Sequence, residues 1–171
     1  LELPISKGLQ SQSALTLEAW IKCNPLTTAQ GIISKDDTTN RVFNMAVLES
    51  TSGSANKVIF NIYSGGSAQG VTSTSVVADG NWHHIVGTFE PSVKQVIYVD
   101  GEAETTDTSS IPSTIDLSTD EANTPIRIGN YENDSLYFKG IIDEVKIYNR
   151  ALSPTEVSKN YKHQKGKHKN D

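Results

Sequence analysis

Asp79 to Pro91 reads DGNWHHIVGTFEP, which sets two adjacent histidines, a tryptophan and two acidic residues inside the pattern of a β-strand. Imidazoles near carboxylates can hold a metal or trade protons. In an extended strand, however, Trp82, His84 and Val86 point to one face while His83, Ile85 and Gly87 point to the other, so the two histidines cannot share one ion. No nucleophile motif accompanies them nearby. The pair is therefore read as architecture, a half-buried imidazole that satisfies backbone groups beside a core tryptophan.

Carboxylates are the second candidate chemistry. In GIIDEVKIY the alternation groups Ile141, Asp143, Val145 and Ile147 on one face against Ile142, Glu144, Lys146 and Tyr148. Asp143 is thus expected among buried residues, where a charge needs backbone donors, an arginine such as Arg150, or a cation. Asp36, Asp37 and Asn40 in KDDTTN form a weaker, rim-type cation candidate. Glycoside hydrolysis requires two facing carboxylates, roughly 5–5.5 Å apart for retention. Glu102 and Glu104 lie just beyond a hairpin turn, and adjacent Asp143 and Glu144 point to opposite faces. Neither pair has that geometry, and no serine or cysteine nucleophile motif is present, so no hydrolase activity is expected.

The elements that must position these residues are short. At least nine candidate strands alternate apolar and polar residues: Leu15 to Lys22, Gly31 to Lys35, Val42 to Leu48, Lys57 to Tyr63, Val71 to Val77, Trp82 to Phe89, Gln95 to Val99, Ile126 to Gly129 and Phe138 to Tyr148. Connections rich in Ser, Gly and Asn, such as ESTSGSANK and YSGGSAQG, suit an antiparallel sandwich. Hairpins are expected at EPSVKQ and at Asp100-Gly101. Thr105 to Thr124, acidic and rich in Ser and Thr, reads as a long surface loop. One helix is specified by SPTEVSKNY, with Ser153 as N-cap, Pro154 at the first helical position and Glu156 completing a capping box.

At 171 residues the chain suits one domain, and Cys23 as sole cysteine excludes an internal disulfide and any cysteine-based zinc site. The net charge of −5 hides an asymmetry: residues 162–171, KHQKGKHKND, carry +3 and leave −8 for residues 1–161. An acidic body argues against nucleic acid, and the basic run reads as a solvated tail or linker. No apolar run reaches the ~20 residues that span a bilayer, so membrane insertion is not expected. A chain opening on Leu1 is expected to be part of a larger multidomain polypeptide.

Six segments carry a resemblance: LTLEAWIK (15–22), IISK (32–35), DGNWHHIVGTFE (79–90), IYVDGE (97–102), IRIGN (126–130) and FKGIIDEVKIYNRALSPTEV (138–157). In this order and spacing the chain resembles the laminin-G-like domains of the concanavalin A-like lectin/glucanase superfamily. The resemblance implies an all-β fold, an antiparallel two-sheet jelly-roll sandwich over residues 1–161 with one short C-terminal helix. It also implies an extracellular or cell-surface setting and a structural calcium, for which Asp143 is the candidate ligand. The chain departs from the family at its start, where it either begins after the usual Phe-Asp-Gly strand or carries a divergent version of it, LELPISKG. Related glucanases place two glutamates and an aspartate at alternate positions of one strand, a pattern absent here.

The resemblance leaves two functions open, a carbohydrate-binding module and a protein-interaction, adhesion or spacer module. Sugars are held by exposed aromatic rings with amides and carboxylates nearby. Alternation turns Tyr98 away from Ile97 and Val99, Tyr63 and Asn61 away from Phe60 and Ile62, and Trp20 away from Leu17, Ala19 and Ile21. In NYENDSLYF, Asn130, Tyr131 and Tyr137 bracket a polar loop at a strand end. Tyr98, Tyr63, Trp20, Asn130, Tyr131 and Tyr137 are therefore the expected ligand-binding residues. The expected partner is a glycan or an extracellular protein.

Overall fold

The computed structural model describes residues 2–3, 14–36, 40–50, 53–115, 125–130 and 136–168. These described residues form eleven strands and one helix: β1 Glu2–Leu3, β2 Leu15–Cys23, β3 Gln30–Lys35, β4 Phe43–Val47, β5 Val58–Ser64, β6 Ser67–Thr72, β7 Trp82–Glu90, β8 Lys94–Val99, β9 Glu102–Asp107, β10 Ile126–Ile128, β11 Gly140–Tyr148 and α1 Pro154–Gln164. All pairings are antiparallel. They build a six-stranded sheet, β1-β10-β3-β4-β5-β6, and a five-stranded sheet, β11-β2-β7-β8-β9. This is the expected jelly-roll sandwich.

Alternate residues of the two sheets meet in one apolar core. Leu15, Leu17, Ala19, Ile21, Ile85, Phe89 and Ile97 come from one sheet, and Phe43, Met45, Val47, Val58, Phe60 and Ile62 from the other. At Gly87 the sheets approach so closely that a Cβ would stand 2.5 Å from the Phe60 ring. Only glycine lets that ring fill the space.

Tight turns hold the strands in register. Asp100 (φ 52°) and Gly101 (φ 85°) join β8 to β9, and Gly65 (φ 57°) and Gly66 (φ 80°) join β5 to β6. Successive left-handed residues match the twist of a two-residue hairpin.

A second, smaller apolar cluster lies on the outer face of the five-stranded sheet, where Val86, Val96 and Tyr98 pack under Leu152 and Val157 of the C-terminal segment. The cap of α1 is as the sequence specifies: Ser153 Oγ accepts from the Glu156 N–H, and the Glu156 carboxylate accepts from the Ser153 N–H. Among the described residues no helix is long and apolar enough to cross a membrane.

Four expectations need correction. The sequence run Val71 to Val77 is not one strand; β6 lies earlier, at Ser67–Thr72, because the Gly65-Gly66 hairpin starts it at once. The stretch from Thr105 onward begins as the end of β9, not as loop, because the Asp100-Gly101 hairpin returns the chain along β8. The basic segment is not a solvated tail throughout, since α1 runs to Gln164 and His168 is buried. Asp143 is not in the core. One extra residue in β11 lies between the pairs Asp143↔Trp20 and Lys146↔Glu18, with Glu144 at φ 49°. This bulge switches the alternation, so Ile142, Val145 and Ile147 pack on the core while Ile141 and Asp143 turn outward.

Candidate functional site

On the outer face of the six-stranded sheet, polar residues line up across four strands and end against a glycine on the fifth. Their Cα atoms are direct partners in the order Arg127, Ser34, Asn44, Asn61, Gly70. Asn44 is the hub. Its Nδ2 donates to the Tyr63 hydroxyl at 2.9 Å and to Asp36 Oδ2 at 3.4 Å, while its Oδ1 accepts from Asn61 Nδ2 at 3.0 Å. Ser34 Oγ donates to the Asn130 carbonyl at 2.9 Å, and Arg127 Nη1 donates to the Asp36 carbonyl at 3.2 Å. Asp36 also pairs with Arg41, Nε to Oδ1 3.6 Å.

The row is closed at one end and open at the other. Ser34, Asp36 and Asn44 are buried, whereas Asn61 and Tyr63 each keep 9% of their surface. Beside them on the edge strand β6 lie only Gly70 and Ala68, both exposed. A Cβ at Gly70 would fall 1.9 Å from Asn61 Oδ1, so that carbonyl oxygen rests directly over the bare backbone. The Arg41 guanidinium lies 5.5 Å above the Tyr63 ring. This open end offers a carbonyl acceptor, a phenol and a guanidinium beside the exposed Gly70 and Ala68, which is hydroxyl-recognition chemistry.

The other sheet's outer face carries a second polar group, covered by α1. Glu18, fully buried, accepts from Lys146 Nζ (2.9 Å), Asn160 Nδ2 (2.8 Å), the Tyr148 hydroxyl (3.1 Å) and Gln164 Nε2 (3.3 Å), and lies 3.2 Å from His84 Nε2. Burial alone would raise its pKa. Hydrogen bonds from His84 and Lys146, the His84 charge and the bond from Asn160 outweigh it and hold the carboxyl down at about 2. Burial and the facing Glu18 push the Tyr148 phenol up to about 12. Trp20 donates from Nε1 to Gln164 Oε1 at 2.6 Å and stacks on His168 at 4.2 Å. These groups fasten the helix, with Glu18, His84 and Trp20 buried beneath it and Gln164 buried at its end.

At the rim, His83 lies between Asp100 (Nδ1 to Oδ2 2.9 Å) and Asp79 (Nε2 to Oδ1 3.2 Å). Burial lowers its pKa, and the two carboxylates raise it by more. Cys23 is an inert thiol, pushed up to about 11 by burial and by Asp79.

The expected ligand-binding residues therefore divide. Tyr63 and Asn130 share the polar face, joined through Ser34, Asn44 and their bonds, though Asn130 is buried. Tyr98 and Trp20 do turn away from the core, yet both are buried, because α1 covers that face. Tyr137 is exposed, and Tyr131 lies outside the described residues. His84 is fully buried with a carboxylate partner, rather than half-buried against backbone groups. The alternation pattern missed Ser34, Asn44 and Arg127, since only strand pairing aligns them.

Asp143, the expected calcium ligand, is held by protein groups among the described residues. One of its oxygens accepts from the Glu144 N–H at 2.8 Å and the other lies 3.1 Å from His168 Nε2, while Arg150 pairs with Glu156 instead. Among the described residues no three His, Cys, Asp or Glu side chains group closely enough to hold a metal. Asp36 is tied to Arg41 and Asn44. Asp37 lies outside the described residues.

The family model described as the concanavalin A-like lectin/glucanases superfamily, Laminin_G_3, matches residues 1–158. The chain belongs to this family. Among solved structures, this laminin-G-like chain is similar to the binding domain of Paraclostridial Mosquitocidal Protein 1 (TM-score 0.71, 16% identity, 94% of this chain and 40% of that one). It is also similar to the Botulinum Neurotoxin serotype G binding domain (0.70, 15%, 94% and 39%) and to a putative carbohydrate binding protein from Bacteroides ovatus (0.70, 18%, 92% and 42%). The laminin-G-like chain thus spans about two-fifths of each. At these identities the likeness is one of fold. No curated protein matches the sequence.

Proposed function

We propose that the chain is a non-catalytic, glycan-binding module of a larger secreted or cell-surface protein. The observation that carries this reading is the open end of the polar row, where Asn61 Oδ1, the Tyr63 hydroxyl and Arg41 meet beside the bare Gly70 and Ala68. Asn44 fixes both Asn61 and Tyr63 from below, so their orientation is set before a ligand arrives. Solved structures of similar fold include binding domains and a putative carbohydrate binding protein, which supports a binding role. A site on an exposed edge strand buries little ligand, so dissociation constants on the order of micromolar to millimolar are expected.

The test is a broad glycan array followed by calorimetric titration, with Asn61→Ala and Tyr63→Phe beside the parent protein. Loss of at least about tenfold in affinity, with folding retained, supports the site. Silence across the array with folded protein overturns it and favours a protein-interaction or spacer module. Turnover of β-glucans or sialosides that Glu102→Gln or Glu144→Gln abolishes would overturn the non-catalytic reading.

A further inference from the structure

A groove of about 670 Å³ runs between the β8–β9 hairpin and the first turns of α1. We infer that it is a second binding site, for a saccharide bearing a single carboxylate, such as a terminal uronic or sialic acid. The inference rests on the glycan-binding reading but uses a different surface.

The groove's two walls come from different elements. Gly101 and Ala103 supply one wall, and Pro154 with Ser158 and Lys162 supplies the other, at the helical spacing that keeps 154, 158 and 162 on one face. Gly101 is held against the Tyr161 ring, where a Cβ would come within 2.9 Å, so the hairpin and helix are fixed relative to each other. The volume falls within the range of small-ligand pockets.

Charge gives the ligand class. Lys146, Arg150 and Lys167, also on this sheet and the C-terminal segment, are each bonded to a carboxylate. Lys159 and Lys162, by contrast, are exposed in the groove with no carboxylate partner among the described residues, in a body whose net charge is negative. Two unneutralised ammonium groups together attract an anion. Glu102 also lines the groove and repels a second acidic group while accepting from hydroxyls. The fit is to one carboxylate on a neutral polyol rather than to a polyanion. Gly101, Ala103 and Pro154 present C–H surface for the apolar face of a sugar ring, and the Ser158 hydroxyl adds a donor and acceptor.

The test titrates the folded chain, at about 0.15 M ionic strength, with oligosaccharides ending in glucuronic or N-acetylneuraminic acid, with their methyl esters, and with a polyglutamate peptide. The expected result is saturable binding of the free acids, weakened at least about tenfold by esterification and by combined Lys159→Gln and Lys162→Gln. Among the described residues neither lysine bonds to another side chain, so an unaltered melting temperature is expected and keeps the comparison clean. No binding of either acid, equal binding by the double variant or the esters, or a preference for polyglutamate overturns the inference. If neutral glycans still bind in an Asn61-dependent way, that failure leaves the first site standing.

Discussion

Glu18 and His84, 66 residues apart in sequence, face each other on β2 and β7 with Oε1 and Nε2 3.2 Å apart, and neither side chain has any solvent exposure. Lys146, Tyr148, Asn160 and Gln164 complete the shell from β11 and α1, so one carboxylate on β2 joins β7, β11 and α1. The sign of its pH linkage follows. The folded pKa, about 2, lies below the ordinary value of 4.5, so the stabilisation is present above pH ~4.5 and is lost as pH falls toward 2. The shift corresponds to a contribution on the order of 3 kcal/mol. Urea unfolding followed between pH 2 and 6 should show this loss, and Glu18→Gln should flatten it while lowering stability at pH 7. An identical pH profile in the variant would contradict the assignment.

His83 should act in the opposite direction. Burial opposes its protonation, but Asp100 and Asp79 hold its folded pKa above 6.5, so the ion pairs stabilise fully below pH ~6.5 and fade as pH rises through the folded value. NMR titration of the imidazole should give a midpoint above that of a model histidine. In His83→Gln the midpoint signal disappears and stability should become flatter as pH rises above ~6.5. A midpoint at or below 6.5 would sink this account.

Most strands could be read from the sequence because each buries one face, and period-2 alternation is then written directly into residues such as Leu15, Leu17, Ala19 and Ile21. The capping box at Ser153 and Glu156 is equally local. What escaped depends on partners far away in sequence. Trp20 and Tyr98 point outward as alternation requires, but only the tertiary position of α1 shows that they are covered. The β11 bulge inverts Asp143, and nothing in GIIDEVKIY marks the extra residue. The polar row needs the registers of four strand pairs at once, so Tyr63 and Asn61 were visible singly while Ser34, Asn44 and Arg127 were not.

Gly87→Ala should strain the sandwich. Its added methyl would meet Phe60 at 2.5 Å, and Phe60 is itself fully buried, so the ring cannot swing into solvent. Overpacking of this kind costs about 1–3 kcal/mol. Combining it with Phe60→Leu should recover part of the loss, because the smaller side chain vacates the contact. Denaturant midpoints of the single and double variants check both statements. Additive losses would mean that the two residues do not meet.

His168 should hold the end of the chain onto the sheet. Its ring stacks on Trp20 at 4.2 Å with 7° between planes and meets Trp82 edge-on at 4.7 Å, while Nε2 lies 3.1 Å from Asp143 Oδ2 and Nδ1 3.2 Å from the Gln164 carbonyl. An aromatic contact of this type contributes about 0.5–1.5 kcal/mol beyond its buried area. His168→Ala should therefore lower stability by roughly that amount and shift tryptophan emission to the red, since Trp20 and Trp82 are the only two tryptophans and both touch this ring. His168→Phe keeps the stack and removes the bond to Asp143, so its emission should stay close to that of the parent while stability falls less. Asp143→Asn should leave the emission unchanged, because its oxygen reaches only the outer nitrogen. Parent-like fluorescence in His168→Ala would show that residues 165–168 do not cover Trp20 in solution, and the basic segment would then be solvated after all.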